Sequence, residues 1–362
     1  MVTMEDRPLV SIIILNYNGE RYLDRCLSSV LKTEHPRFEV VLVDNASTDK
    51  SLENAQHKFG KDERLRIIRS ITNLGFGPAN NVGFENAKGT YIAFLNNDTV
   101  VDPCWLTVLV DAMEQDKTIG LAQSMILNAD ERSVQTAGWL IGDYFVYYYS
   151  IVEPGNAGAH GFPDVFEVSY ASGAAMIIRR EIVDQVGLFD PKYFWFYDDN
   201  YLSFKVWLVG KRVVTVSDSR VCHVGGGTAG FDSVPIRHYG TISSISLIFD
   251  VYWNYVDLAK ALFVFGFNLT INAMKETIER RRATRVRGNT SAVFWALSNL
   301  KHIWESRLRC LSMARVSQKV LLSKFIRIRV PGSVYLVPPP VKLLPKYLLN
   351  ETRKYLETVM ST

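Results

Sequence analysis

The feature that most constrains this chain is a pattern repeated through its first hundred residues: a short β-branched run, an abrupt cluster of Asn and Asp, then a helical stripe. VSIIIL (Val10 to Leu15) ends in Asn16, Tyr17, Asn18 and Gly19; EVVLVD (Glu39 to Asp44) ends in Asp44, Asn45 and Ala46; TYIAFL ends in Asn96, Asn97, Asp98 and Thr99. After the first run, Tyr22, Leu23, Cys26, Leu27, Val30 and Leu31 fall on one helical stripe. Ser47 stands where an N-cap should, before a helix reaching about Phe59. Leu65 to Ile68 and Tyr91 to Leu95 supply two more strands, with a polar, glycine-containing helix between them. Strands apolar on both faces and separated by helices predict an α/β fold with a mostly parallel, doubly wound sheet. Ligands in such sheets sit at the carboxyl ends of the strands, where all three polar clusters fall.

The chemistry of those clusters suits a nucleotide. Asp98 offers the hard oxygen that Mg²⁺ or Mn²⁺ prefers, and a sparse protein shell leaves positions open for phosphate oxygens. Asp44 is placed to accept from a base N3–H or a ribose hydroxyl, while Asn16, Tyr17 and Asn18 supply amides and a ring face for stacking. The segment Asn73-Leu-Gly-Phe-Gly-Pro-Ala-Asn80-Asn-Val-Gly83 combines small residues, which let backbone approach a ligand, with uncharged amides for sugar or phosphate. It is not a dinucleotide fingerprint, because the third glycine is missing and the first strand does not precede it; no GK[ST] triplet makes a Walker loop.

Farther on, SGAAMIIRREIVDQVGLFD gives a small-residue turn, a strand over Ala175 to Ile178, a short helix and a stop at Gly187. FWFYDDNY follows, with Asp198 and Asp199 opening a helix whose N-terminal dipole favours the carboxylates' charged form. Trp195, Phe196 and Tyr197 precede the acids and could form an aromatic platform for a sugar ring. RVVTVSDSRVCHVGGGT then places His223 after an apolar strand and before three glycines and Thr228, where an imidazole can complete a metal shell or donate to a departing phosphate.

Taken in order, SIIILNYNG, VVLVDNASTDKS, NLGFGPANNVG, FLNNDT, ASGAAMIIRREIVDQVGLFD, FWFYDDNYL and CHVGGGT resemble the inverting glycosyltransferases of family 2, especially the rhamnosyltransferase-like branch, over about Val10 to Thr228. The resemblance implies a GT-A nucleotide-diphospho-sugar transferase fold, a nucleotide-diphosphate sugar donor (UDP, dTDP or GDP) and a divalent metal. By similarity Asp44 contacts the donor base, Asn97 lies near the ribose, and Asp98 replaces the last acid of the Asp-x-Asp metal signature, whose first acid is Asn96 here. His223 matches a family histidine. Asp199 matches the second acid of the family's Glu-Asp pair and is the expected general base; Asp198 would orient an acceptor hydroxyl. Tyr201 stands where the family often has a further acid.

The 362-residue chain, 48% hydrophobic, can bury a substantial core. Its cysteines, Cys26, Cys104, Cys222 and Cys310, have neither zinc nor disulfide spacing, and the opening MVTMEDRPLV has no long apolar segment; both point to a reducing, cytoplasmic setting. We expect a catalytic domain over residues 1–235 and a helical, basic region over 236–362. From Lys275 to Arg329 there are fourteen Lys and Arg against three Glu, while the whole chain is only +4, so an acidic body carries a basic tail. Ile245, Ile248, Phe249, Tyr252, Trp253 and Val256 form an apolar stripe, with Asp250, Asn254 and Asp257 off it. LAKALFVFGFNLTINAM, about seventeen residues with Lys260, Asn268 and Asn272 in it, is marginal as a membrane span. It suits a helix lying in the interface, with Arg280, Arg281, Arg282, Arg285 and Arg287 nearby for an anionic membrane surface; a packed helical subdomain is the alternative. VPPPVKLLP predicts a stiff extended segment. The acceptor expected is a glycan or lipid-linked saccharide. Nucleic acid is not expected, since the tail lacks aromatic-basic interleaving. A nucleotide-sugar-binding module without turnover is the competing class.

Overall fold

The structure, a computed structural model, describes residues 7–130, 133–145, 148–151, 162–196, 198–225, 233–280 and 282–328. Tyr197, Gly226, Gly227, Thr228, Arg281, Arg329 and the VPPPVKLLP segment lie outside the described residues. The chain divides into two compact units: Met1–Gly138, Val152–Val206 and Lys211–Gly225 in the first, Trp139–Ile151, Trp207–Gly210 and Gly226–Thr362 in the second.

In chain order the elements are β1 (Val10–Asn16), α1 (Leu23–Val30), β2 (Phe38–Asp44), α2 (Ser51–Phe59), β3 (Leu65–Arg69), α3 (Phe76–Glu85) and β4 (Tyr91–Asn96). They continue with β5 (Thr99–Val101), α4 (Trp105–Gln115), β6 (Ile119–Leu127) and β7 (Val134–Thr136). Next come β8 (Trp139–Gly142) and β9 (Tyr148–Ser150), which belong to the second unit. The chain continues with β10 (Val165–Glu167), β11 (Ala175–Arg179), α5 (Arg180–Val186), α6 (Asp198–Leu208) and β12 (Arg212–His223), all in the first unit except the end of α6 from Trp207.

The expected α/β architecture is present as a ten-stranded mixed sheet ordered β10-β12-β6-β11-β4-β1-β2-β3, with β5 paired to β12 and β7 to β6. β1 pairs parallel with both β2 and β4, β2 with β3, and β12 with β6. β11 runs antiparallel to both its neighbours, β4 and β6. The chain winds outward from β1 through β2 to β3, then returns to lay β4 on the other side of β1. That reversal of direction opens a crevice at the carboxyl ends of β1 and β4, the place where a ligand binds in an open α/β sheet. Alternate β-branched residues of the central strands are buried on each face. Ile12, Ile14, Val40, Leu42, Ala93 and Leu95 pack with Leu23, Cys26, Leu27 and Val30 of α1 and Trp105, Leu106 and Leu109 of α4. Each large side chain so buried contributes roughly 1.5–3 kcal/mol relative to exposure.

Ser47 does not cap α2, which begins four positions later with Lys50 at its N-cap and no side-chain capping bond. The intervening turn is held instead by Asp49, whose Oδ1 accepts from Ser51 N at 3.1 Å. Ser47 Oγ is drawn to the end of β1, accepting from Asn16 Nδ2 (3.1 Å) and Asn18 N (3.0 Å).

The second unit contains α7 (Val234–Val251), α8 (Tyr255–Arg280), α9 (Thr284–Ser298), α10 (Leu300–Met313), α11 (Gln318–Phe325) and β13 (Ile326–Ile328), the last forming a small sheet in the order β13-β8-β9. The apolar stripe Ile245 to Val256 spans two helices rather than one, because α7 ends at Val251 and Tyr252 is extended (φ −93°, ψ 95°). Arg307, almost wholly buried, stabilises that break: its guanidinium donates to the carbonyl oxygens of Phe249, Tyr252 (2.7 Å) and Trp253 (2.6 Å), groups the helix end leaves unpaired. Asp250, expected off the apolar face, is buried with Ser306 Oγ donating to its Oδ2 at 3.3 Å. α7 is buried over most of its circumference, so a two-sided reading of its sequence does not describe it.

Gly83 sets how closely α3 lies on the sheet, since a Cβ there would collide with Ile13 Cγ2 and come 3.2 Å from Val43 Cγ2. Gly83→Ala is expected to destabilise the protein by about 1–3 kcal/mol through overpacking. Urea denaturation of the variant beside the parent measures the difference.

Candidate active site

The β1–β4 crevice is lined by a connected amide network. Asn16, buried at the last position of β1, donates from Nδ2 to Asp44 Oδ1 (3.0 Å), Ser47 Oγ (3.1 Å) and Ser51 Oγ (2.9 Å). Its Oδ1 accepts from Asn97 Nδ2 at 2.8 Å, so one side chain ties the ends of β1, β2 and β4. Gly19 makes this possible, because a Cβ there would collide with Asn16 Oδ1 and Asn97 Nδ2. Asn45 extends the network outward: Nδ2 donates to Asn73 Oδ1 (2.9 Å) and Gly75 O (3.2 Å), and Oδ1 accepts from Leu74 N (2.9 Å). Asn18 takes a left-handed conformation (φ 52°) with its Oδ1 accepting from Thr48 N at 2.8 Å, and Tyr17 beside it is exposed.

Asp44 is fully buried, its oxygens accepting from Asn16 and from Ser47 N (3.3 Å). Asn80 is also buried, its amide donating to Phe76 O one turn back in α3 at 2.9 Å. Its neighbour Asn81 ties α3 to Phe189, donating to the carbonyl oxygen (2.8 Å) and accepting from the amide (3.2 Å).

At the end of β4 the chain turns through Asn97 and Asp98 into β5, whose pairing with the far end of β12 sets Thr99 opposite His223. Val224 N donates to Asp98 O at 3.1 Å, and His223 Nε2 lies 3.1 Å from Asp98 Oδ1 and 3.3 Å from Asn96 Nδ2. Cis donors in an octahedral shell, each about 2.1 Å from a cation, stand about 3 Å apart, so the Nε2 to Oδ1 separation fits a divalent ion held between them. Among the described residues no group of three or more His, Cys, Asp and Glu could hold a metal, so the protein would supply two ligands and leave the rest of the shell to phosphate and water. Cys26 lies below, its thiol 3.6 Å from Asn96 O; burial pushes it up to about 12, which makes it inert as a nucleophile.

Asp198 and Asp199 begin α6, as expected. Asp198 is buried under α3, where Gly77 leaves room for its Oδ1 that a Cβ would fill. Asp199 is partly exposed; its Oδ2 accepts from Gly173 N (3.1 Å) and its Oδ1 from Asn200 N (2.8 Å). Desolvation raises both carboxyl groups above the usual carboxylate range, and for Asp198 the charge of Asp199 adds to it. Backbone amides partly offset the rise at Asp199 and favour its charged form over that of Asp198. The turn 172–174 connects this pair to the Asp98–His223 end of the sheet: Asn96 N donates to Ala174 O at 3.0 Å, one residue from the Gly173 amide that holds Asp199. Tyr201 is a core residue whose ring stacks on Phe204 at 6.2 Å, while Phe194 and Phe196 are exposed at the approach to α6.

The sequence reading gave no individual site role to Asn45, Ser47, Gly173 or Gln135, which contacts His223. Asn45 lies inside a polar cluster already singled out, Ser47 was read as a helix cap, and Gly173 lies inside the small-residue turn. Gln135 carries no signal in the stretch ERSVQTAG.

Residues 11–187 match the family model for Glycosyl transferase family 2. An uncharacterized glycosyltransferase of Haemophilus influenzae is 33% identical over 116 residues, 32% of this chain but only 36% of that protein's length. Glycosyltransferase GlyG of Streptococcus pneumoniae is 26% identical over 212 residues, covering 58% of this chain and 69% of its own. Among solved structures, Staphylococcus aureus TarS 1–349 with UDP-GlcNAc superposes at TM-score 0.54 with 17% identity, covering 88% of each chain. The mannosyltransferase PcManGT of Pyrobaculum calidifontis, with GDP-Man and Mn²⁺, superposes at 0.51 with 16% identity, covering 86% of this chain and 88% of that one. The fold is GT-A, and over residues 11–187 the chain carries a glycosyl transferase family 2 domain.

Proposed function

We propose that this protein is an inverting glycosyltransferase that moves a sugar from a nucleotide-diphosphate donor to a hydroxyl of a glycan or lipid-linked saccharide. The observation that carries the reading is the link, at one edge of the sheet, between the Asp98–His223 pair and the paired acids of α6 through the turn 172–174. The donors bound by the TarS fragment and by the Pyrobaculum mannosyltransferase, UDP-GlcNAc and GDP-Man, support the donor class, and the Mn²⁺ of the latter supports the metal.

The nucleoside would lie over Tyr17 and Asn18, with Asn73 and Asn97 toward the ribose and sugar. Asp44 acts chiefly by fixing Asn16, and Asn80 by holding the first turn of α3, since both are buried and already bonded within the protein. Asp98 and His223 would hold the cation, and this mixed oxygen and imidazole set suits Mn²⁺ better than Mg²⁺. When bound, the ion supplies positive charge against the diphosphate that departs. Asp199 accepts the proton of the acceptor hydroxyl as that oxygen forms its bond to the anomeric carbon and the bond to the diphosphate breaks on the opposite face. Asp198, beside it, would orient the acceptor hydroxyl, and Phe194 and Phe196 offer ring faces to the incoming sugar.

Asp199→Asn should lower transfer by about 10²–10⁴-fold while nucleotide affinity changes little, and Asp98→Ala should weaken Mn²⁺-dependent donor binding. Radiolabel transfer assays with calorimetric titration read both. Full turnover by Asp199→Asn would remove it as the base, and donor binding by the parent without turnover on any acceptor would favour a binding module.

Because Asp199 must be ionised to accept a proton and its pKa is raised, activity is lost as pH falls through that raised value. The acid limb of kcat/KM should therefore lie above the ordinary carboxylate range, as a pH series on the parent enzyme would show.

In the second unit, Tyr255–Glu279 of α8 is, among the described residues, the one helix long and apolar enough to cross a bilayer by length and composition. With a mean hydropathy of 1.3 and only 22% of its apolar window buried, it leaves much of its surface uncovered. Phe263 (73% exposed), Met274 and Ile278 (76%) recur at helical spacing, and Phe294 and Leu297 are exposed on α9, with exposed Arg282 and Arg287 nearby in sequence. This arrangement favours an interfacial helix pair on anionic lipid at the inner face of the membrane. Co-sedimentation with phosphatidylserine vesicles at low salt, reversed by high salt, is the expected result; no binding at low salt would exclude it.

A further inference from the structure

We propose that Gln135 is a positioning residue that fixes the tautomer and aim of His223, so that Nε2 presents its lone pair beside Asp98. The inference rests on the reading that Asp98 and His223 together hold a cation. Gln135 Oε1 lies 2.7 Å from His223 Nδ1, while Gln135 Nε2 donates to His223 O at 3.1 Å and to Asn128 Oδ1 at 3.3 Å. These contacts leave one orientation of the amide. His223 O is a backbone acceptor that cannot turn over, so the NH₂ group must face it and the amide oxygen must face the ring. An acceptor at 2.7 Å from Nδ1 requires the proton to be on Nδ1, and the neutral imidazole then carries its lone pair on Nε2.

That lone pair points where Asp98 Oδ1 lies at 3.1 Å, with Asn96 Nδ2 at 3.3 Å. Without Gln135, the neutral ring would favour the other tautomer, in which Nε2–H donates to the Asp98 carboxylate and the metal-binding lone pair is lost. Gln135 therefore works against the local preference of the Asp98–His223 pair.

The surroundings hold Gln135 in place. β7 carries it, paired with β6 through Thr136 opposite Ile126 and Val134 opposite Leu127. Asn128 N closes the hairpin on Ser133 O at 2.9 Å, keeping Asn128 Oδ1 within reach of the Gln135 amide. On the other side Gly225 lies in the left-handed region (φ +68°), and a Cβ there would stand 3.0 Å from Gln135 Nε2. The first glycine of the GGG run thus leaves space for the amide that orients the histidine.

The test uses the full-length protein and three variants: Gln135→Met, which keeps length without an acceptor, Gln135→Glu, which keeps the acceptor, and Asp98→Ala. Ring ¹⁵N NMR of His223 in metal-free protein, at a pH where the imidazole is neutral, should show the Nδ1–H tautomer in the parent and in Gln135→Glu, and the Nε2–H tautomer in Gln135→Met. Affinity for Mn²⁺ alone, measured by electron paramagnetic resonance, should fall roughly 10–100-fold in Gln135→Met and be largely restored in Gln135→Glu. An Nε2–H tautomer in the parent overturns the proposal whether or not the variants fold, and so does weaker Mn²⁺ binding in Gln135→Met with the tautomer unchanged. Unchanged Mn²⁺ affinity in Asp98→Ala would instead sink the cation site itself, a failure separable from that of the tautomer.

Discussion

The pairing of β5 with the end of β12 is the constraint on which the site depends. Three residue pairs, Val221 with Val101, Cys222 with Val100 and His223 with Thr99, join segments more than a hundred positions apart and set the imidazole next to Asp98. A carboxylate and an imidazole from distant segments stand 3.1 Å apart because two backbones fix their separation. A one-residue slip would turn His223 to the opposite face of the sheet, since side chains alternate along a strand.

A second feature is the difference between two adjacent acids. Asp198 and Asp199 share a helix start, yet α3 and Gly77 bury one while the other takes the amides of Gly173 and Asn200. Desolvation alone would push both toward neutrality, and the backbone amides favour charge on Asp199. The helix dipole inferred from sequence acts in the same direction, but the turn 172–174 is what distinguishes the two acids.

Much of this was legible in the residues. The apolar runs predicted β1, β2, β4 and β11 because those strands are buried on both faces, and polar ends on the first three marked the crevice; β3, at the sheet edge, is only partly buried. Lateral order was not legible, since nothing in TYIAFL says that it lies beside VSIIIL rather than beside LRIIR. The start of α2 was misplaced because Asp49 and Ser51 form a local turn that competes with a Ser47 cap. The break after Val251 was hidden because apolar residues continue through it, and the side chain that stabilises it, Arg307, comes from a distant helix. Gln135 was hidden for a similar reason: an amide becomes an orienting group only when tertiary pairing brings a ring to it.

The reversed direction of β11 has its own consequence. In an all-parallel sheet only outgoing chain reaches the ligand edge, so every group there follows a strand. Running against β4 and β6, β11 brings incoming chain to that edge instead, and its preceding turn, Ser172 to Ala174, meets the end of β4. The molecule is thereby assembled from two interlocking segments entering from opposite directions. Loops entering with β11 have latitude to lengthen or shorten while β1 to β4 keep their register.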